Sequence, residues 1–415
     1  MLFASISGFL LAALLPALRR VFGDRVVWFA ALLPLGLTVA FARQAPAVWA
    51  GTALTETTPW LDGLGLHLAF HLDGLALLFT LLIAGIGTLI VLYTGSYLHG
   101  HPHRHRFVMF TLMFMSSMLG VVLSENILLL FIFWELTSFT SYLLIGFNHD
   151  QEASRKAALQ ALLVTGLGGL FLLAGLILIG HATGSLNITG IIAQRDVLIN
   201  DPRFSVMLGL VLVGAFTKSA QVPFHFWLPN AMQAPTPASA YLHSSTMVKA
   251  GVYLLARLHP ALGGTPGWEI IVTTFGALTL LTGATMATGQ VYLKRLLAYT
   301  TVGALGAMVM ALGIGTDAAI KAAVVLLLAH AGYKAALFLI AGIIDHETGE
   351  KNVTRLGGLF RSMPRTGIAA AIAAASMAGL PLTLGFIGKE VTYTALLDQP
   401  LLAAVLLVTG AGFAL

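Results

Sequence analysis

No cysteine occurs in these 415 residues, which removes disulfides, thiolate nucleophiles and cysteine-ligated zinc or iron–sulfur centres from consideration. Charge is nearly as scarce. Asp, Glu, Lys and Arg make up 9% of the chain, where a soluble domain carries about 25%. So few charges cannot solvate a globule of this size. With 58% hydrophobic residues, the chain reads as a polytopic membrane protein whose length sets the number of spans. The net charge of +5 is scattered through short loops and forms no patch, so it is a topology signal and no nucleic-acid partner is expected. No cofactor is expected either, and any redox chemistry would lie in a partner. The first apolar segment has no basic leader and is followed by further spans, so it reads as a retained helix and not a signal peptide.

About twenty apolar residues cross the hydrocarbon core. That ruler gives spans at 2–18, 26–42, 74–98, 107–123, 126–147, 157–180, 205–229, 236–258, 268–292, 296–315, 319–344 and 366–396. The run from Leu401 stops at Leu415, short of a span, and is expected to be an incomplete thirteenth helix. A polar external loop fills 43–73. Pro223 and Pro229 interrupt the seventh span, and Pro381, flanked by glycines, interrupts the twelfth. A proline inside a span frees a carbonyl that lipid cannot satisfy, so both should be broken helices facing protein or a wet cavity. Pro223 lies 116 residues after Phe107 and Pro381 lies 113 after Trp268. Matching breaks of this kind mark inverted-repeat transporters. The expected fold is all-α, with N-terminal helices over 1–106 and two inverted five-helix repeats over 107–258 and 268–415, the second incomplete.

Lysine and arginine sort by loop. Arg19, Arg20, Arg25, Arg104, Arg106, Arg155, Lys156, Lys294, Arg295, Lys351, Arg355, Arg361 and Arg365 fall on one side; Arg43, Arg195, Arg203, Arg257 and Lys321 fall on the other. The positive-inside rule then puts the N-terminus outside the cell membrane. Lys218, Lys249, Lys334 and Lys389 remain inside spans, together with Glu135, His243 and His330. A charge at the bilayer centre costs roughly 2.5–3.5 kcal/mol by insertion scales, so these are candidate functional groups that need a partner or a cavity. His330 and Lys334 are four apart, on one face of one helix.

Each candidate has a plainer alternative. Lys218 could snorkel from a helix end, Lys389 could pair with Glu390, the histidines could be hydrogen-bonded packing residues, and Glu135 could bind the hydroxyl of Thr137 or Ser138. The histidines at 99, 101, 103 and 105 have metal-like spacing but no acidic or thiolate companions, which favours a solvated basic loop. Asp62, His67, His71 and Asp73 read as a cation entrance or, more simply, a polar loop. Thr236 and Ser239 read as backbone satisfiers at a helix start.

Phe133-Trp-Glu-Leu-Thr-Ser, Thr217-Lys-Ser-Ala-Gln-Val-Pro, the stretch from Ala234-Pro-Thr-Pro to Lys249-Ala-Gly-Val-Tyr, Lys294-Arg-Leu-Leu-Ala-Tyr-Thr-Thr, His330-Ala-Gly-Tyr-Lys-Ala and Gly385-Phe-Ile-Gly-Lys-Glu occur in this order. In these motifs, over roughly residues 70–395, the chain resembles the antiporter-like subunits shared by multisubunit Mrp cation/proton antiporters and respiratory complex I. Within that group it is most similar to the A-type subunit of the Mrp antiporters. The resemblance implies a fourteen-helix core, a proton path along the membrane midplane, and partner subunits in a hetero-oligomeric complex that exchanges sodium ions for protons. It assigns Glu135 and Lys218 to a switching pair, His243, Lys249, His330 and Lys334 to a relay, and Lys389 to the exit. Rival readings are a proton-pumping subunit of complex I or a membrane-bound hydrogenase, an inorganic-carbon uptake subunit, and a scaffold with a degenerate path.

Overall fold

The computed structural model describes every residue except Asp62, Leu64, Gly65, Asp398 and Leu415; the side chains of Leu61, Leu66 and residues 411–414 are likewise outside the description. The apolar runs form helices because lipid leaves every backbone N–H and C=O to be satisfied within the segment. α1 (Leu2–Phe22) ends at Gly23, and α2 (Val26–Ala30), α3 (Leu32–Ala42) and α4 (Ala45–Trp49) follow. α1 lies along α6, and α3 along α5.

The loop over 43–73 adds one local element that the sequence reading did not place. It holds an antiparallel hairpin of β1 (Leu54–Leu61) and β2 (Leu66–Leu72), with Thr55 opposite His71 and Glu56 opposite Phe70. The signal was present: Leu66-His-Leu-Ala-Phe-His-Leu alternates with period two, and β1 is rich in threonine. Phe70 and Leu72 are buried beneath the hairpin, and the N-terminal ammonium of Met1 forms an ion pair with Glu56.

Next come α5 (Gly74–Tyr97), α6 (Arg104–Leu123), α7 (Ile127–Ile145), α8 (Glu152–Thr183) and the short α9 (Ile188–Ala193) and α10 (Arg195–Ile199). The seventh expected span divides into α11 (Phe204–Lys218) and α12 (Trp227–Asn230). The eighth, expected to be continuous, also divides, into α13 (Thr236–Ser244) and α14 (Met247–Leu262). No proline or glycine marks this second break. Ser244, Ser245 and Thr246 make it, because short hydroxyl side chains compete for backbone carbonyls: Ser244 donates to the Ala240 carbonyl and Thr246 to that of Tyr241, at 2.5 and 2.6 Å. The chain continues as α15 (Pro266–Thr288), α16 (Leu293–Ile314), α17 (Asp317–Thr348), α18 (Leu359–Ser362), α19 (Pro364–Ala378), α20 (Leu384–Ala395) and α21 (Pro400–Ala414). The twelfth span is broken at Gly379–Thr383, as Pro381 predicts. By length and composition, eight helical stretches among the described residues can cross a membrane alone. The broken spans fall short because each half is separate.

Of these eight, α6 and α16 are the most enclosed. α15 and α16 meet backbone to backbone at Gly276 and Gly306, where an added Cβ would collide with the backbone at Met310 and Leu280. Small residues permit this approach, which lipid-embedded helices use in place of a hydrophobic driving force. The connections gather in two sets. On one side Arg104 reaches Asp24, Arg19 reaches His105, and Tyr292 bridges to Asn352. On the other, Phe70 bridges to Ser124, Asn126 to Asn187, and Arg195 donates to the Gly263 carbonyl.

That second set is anchored by Asp73, which caps α5 by accepting from the Ala76 N–H at 2.9 Å and receives both terminal nitrogens of Arg257 at 2.5 and 2.8 Å. Burial pushes the Asp73 carboxyl up, but the Arg257 bonds and charge outweigh it and hold the group below its usual range. The stabilisation is therefore full above the ordinary carboxylate pKa of about 3.9 and is lost as pH falls through the lower folded value. Arg257 is largely buried and Asp73 about one-third exposed, so Arg257→Met is expected to destabilise by about 3 kcal/mol, the low end for stripping one partner from a buried pair. Thermal unfolding in detergent, with Asp73→Asn/Arg257→Met as the matched double variant, measures it.

Candidate ion-translocation site

The break after α11 sets out the first part of the site. Its freed backbone groups find side chains: the Trp227 indole donates to the Thr217 carbonyl at 2.9 Å, Gln221 Nε2 to the Ser219 carbonyl at 2.9 Å, and the Val222 N–H reaches Thr279 Oγ1 at 3.0 Å. Lys218, the last residue of α11, is thereby fixed and fully buried. Its ammonium donates to Ser138 Oγ at 2.7 Å and the Trp134 carbonyl at 3.1 Å, and lies 5.0 Å from the centre of the Trp134 ring. All three contacts are on α7, within one turn of Glu135. It does not snorkel.

Glu135 makes no hydrogen bond to that ammonium among the described residues. Its Oε1 is buried without a hydrogen-bond partner, pressed against α8 at Gly169, where an added Cβ would overlap it. Thr137 and Ser138 donate to the Trp134 carbonyl at 2.6 and 3.5 Å and not to the carboxylate, so the plainer role for Glu135 finds no support. No ion pair within 4 Å joins Glu135 to Lys218 among the described residues. The two are neighbours held apart, and the glycines of α8 supply the room.

His243, at the end of α13, is fully buried between Trp227 and Phe338, with ring centres 6.4 and 6.2 Å away, and neither nitrogen has a partner. Lys249 on α14 crosses to α17 and donates to the Leu327 carbonyl at 2.9 Å. One turn further along α17 is His330, fully buried against the Ser244 backbone and in the electrostatic field of Lys249 and Lys334. Lys334 donates to Thr300 Oγ1 on α16 at 2.6 Å and touches Met377 Sδ on α19 at 3.7 Å. Lys389 on α20 donates to the Ala378 carbonyl at 2.6 Å. That carbonyl ends α19, so the ammonium sits where the helix dipole favours a cation; no ion pair with Glu390 forms among the described residues. A cavity of about 50 Å³ lies between Thr300, Tyr333 and Met377 on one side and Lys389 and Thr392 on the other.

The structure thus brings Glu135 and Lys218 to one helix junction and strings His243, Lys249, His330, Lys334 and Lys389 across α13, α14, α17 and α20. Sequence reasoning missed the hydroxyls that hold the lysines, Ser138 as an acceptor for Lys218 and Thr300 for Lys334, although both stand in the shared motifs. It also placed Lys294 in a loop. The residue reaches inward to the Ala234 carbonyl at 2.6 Å and lines a polar pocket of about 510 Å³ with Thr236, Asp345 and Tyr97. Thr236 pairs with the Tyr97 hydroxyl at 3.3 Å and Ser239 Oγ is buried without a partner, so neither satisfies the helix start.

Asp73 is held by Arg257 with His71 at 3.9 Å, and Asp62 lies outside the described residues. In the histidine loop, His105 Nδ1 faces Arg19 at 3.0 Å, and no group of three or more possible metal ligands occurs among the described residues.

Against this geometry, residues 124–414 match the family described as NADH:quinone oxidoreductase/Mrp antiporter, transmembrane, and residues 60–108 match the N-terminal region of complex I chain 5. The chain belongs to this antiporter family. The A-type Na(+)/H(+) antiporter subunit of Alkalihalophilus pseudofirmus is 46% identical over 411 residues, and the probable A/B-type K(+)/H(+) antiporter subunit of Rhizobium meliloti 47% over 395. Each alignment covers 95% of this chain, but only 51% and 39% of the relative. The chain therefore spans about half the length, or less, of the antiporter subunits it matches. A chain in the structure of the Mrp complex from Dietzia sp. superposes with a TM-score of 0.91 at 38% identity, covering 99% of this chain and 46% of that one.

Proposed function

We propose that this chain is the proton-translocating part of a subunit of a multisubunit Mrp-type antiporter that exchanges sodium ions for protons across the cell membrane, with its N-terminus outside. The chain acts as a transporter subunit and not an enzyme, within a hetero-oligomer. The observation that carries the reading is the train of buried ionisable groups from Glu135 and Lys218 through His243, Lys249, His330 and Lys334 to Lys389. Histidine suits the middle positions because its ordinary pKa, about 6.5, lies near neutrality. An imidazole such as that of His243, with neither nitrogen hydrogen-bonded, is free to take and give a proton through a mobile partner. The membrane potential supplies roughly 2.3 kcal/mol per charge per 100 mV to such a transfer.

Two inverted five-helix repeats, over 107–258 and 268–415, organise the path in this reading. Support comes from their internal parallels. α8 and α17 are each 32 residues, α11 and α19 each 15, and both of the latter end at a break carrying a proline and one non-glycine residue at positive φ, Ala220 and Leu382. Separation of Glu135 from Lys218 leaves the ammonium to pass its proton onward, and their approach recaptures it.

The test uses the full-length subunit in its assembled complex, in inverted vesicles, with proton flux followed on addition of sodium or potassium. Sodium-dependent flux that Lys218→Met abolishes at unchanged assembly is the expected result. Potassium preference would move the cation assignment toward that of the Rhizobium relative. Normal flux in Lys218→Met would sink the relay. The match of residues 60–108 to complex I favours one second reading, a redox-driven pump, which flavin and iron–sulfur proteins in the purified complex would support.

A further inference from the structure

On the side carrying most of the basic residues, a pocket of about 240 Å³ opens where the start of α6, the end of α7 and the start of α8 meet. Its lining combines Arg106 and Arg155 with the apolar side chains of Phe110, Leu143 and Ala158. The Arg106 guanidinium lies 5.3 Å from the centre of the Phe147 ring, and one terminal nitrogen is 3.5 Å from the Phe147 carbonyl and 3.4 Å from His149 Nδ1. Its Nε is buried with no partner. Arg155 donates to the His149 carbonyl at 2.5 Å. Among the described residues neither guanidinium has a carboxylate within 4 Å. The nearby acids are engaged elsewhere, Asp150 with His149 Nε2 at 3.5 Å and Glu152 with Lys156 at 2.6 Å.

Two guanidinium groups beside one pocket without a carboxylate partner have a natural complement in an anion with several oxygens, for which the planar fork is shaped. The apolar part of the lining asks for something more than a bare ion. From Arg155, residues four apart on α8 continue as Leu159, Leu163 and Leu167, each at least half exposed, an apolar track leading from the pocket into the bilayer. We propose that this pocket binds a phosphate group between Arg106 and Arg155, that of an anionic phospholipid whose acyl chain follows Phe110, Leu143 and the α8 track. The lipid ties together the ends of α6, α7 and α8, and so steadies the two helices between which Glu135 is packed.

The assay uses the purified complex containing the full-length chain, stripped of lipid, with phosphatidylglycerol, phosphatidylcholine or inorganic phosphate added back and binding read by native mass spectrometry. Phosphatidylglycerol should bind in preference to phosphatidylcholine, resist displacement by inorganic phosphate, and bind about tenfold or more weakly in Arg106→Gln/Arg155→Gln, the scale of a lost charge-assisted contact. Inorganic phosphate that binds and is lost in the same variant would support the anion site with a soluble source. Equal binding of both lipids, or equal binding by wild type and variant, would overturn the proposal. Should the double variant unfold, Arg155→Gln alone decides, since this side chain makes a single bond to a loop carbonyl; unchanged preference for phosphatidylglycerol there would also overturn it. Cation-dependent proton flux is measured separately, so failure of this site and failure of the relay are distinct results.

Discussion

Glu135→Gln in the full-length subunit is expected to assemble at the wild-type level and to lose cation-dependent proton flux by about a hundredfold or more, the scale on which positioned proton-transfer groups act. Glutamine keeps the shape that fits against Gly169 on α8 and removes only the charge. Lys218 loses nothing in direct contacts, because its ammonium is held by Ser138 and the Trp134 carbonyl. A purely structural role for Glu135 therefore predicts little change, and a switching role predicts a nearly complete loss. Flux in inverted vesicles, with complex assembly checked on native gels, separates the two. Retained flux in Glu135→Gln would remove the acid from the mechanism.

Lys334→Met carries the second large effect, and here activity and stability should move apart. Lys334 is fully enclosed, with the Thr300 hydroxyl at 2.6 Å and the Leu297 carbonyl at 3.5 Å as acceptors and Met377 beside it. Burying an ammonium without a counter-charge costs several kcal/mol, and an apolar side chain of similar volume is often neutral or stabilising in such a place. The methionine variant is expected to unfold at the same temperature or higher while losing the flux that depends on passage from His330 toward Lys389. Lys334→Arg should retain charge but crowd the site and fail as a proton carrier, since arginine does not release its proton. Thermal unfolding of the purified complex and vesicle flux on the same preparations check both halves. A variant that lost stability while keeping flux would assign Lys334 to the scaffold.

The polar ladder was legible in the sequence because bilayer physics makes it conspicuous: a lysine in an apolar run is costly and stands out from its neighbours. The breaks at Pro223 and Pro381 were legible for the same reason, since proline removes a hydrogen bond that lipid cannot replace. The break at Ser245 and Thr246 was not. Serine and threonine are tolerated in continuous membrane helices, and whether their hydroxyls bend or break the backbone depends on what the freed groups meet. The β1–β2 hairpin was overlooked for a simpler cause, a hydropathy ruler applied to a segment whose period-two alternation called for another.

Composition and pattern alone thus determined a polytopic membrane protein, the positions of most spans, two of the three breaks and the ionisable residues that fall inside spans, because each follows from the local demand of lipid for satisfied backbone and neutral surface. Only the tertiary structure decided which groups meet. It set Glu135 against the α8 glycines without an ion pair to Lys218, gave Lys218 and Lys334 their hydroxyl partners, left both nitrogens of His243 without a hydrogen-bond partner, and carried Lys294 inward to the Ala234 carbonyl. These are contacts between helices far apart in the chain. Their geometry depends on close approach at glycines such as Gly169 and on side-chain directions across several packed helices, neither of which a periodic pattern along one segment can encode.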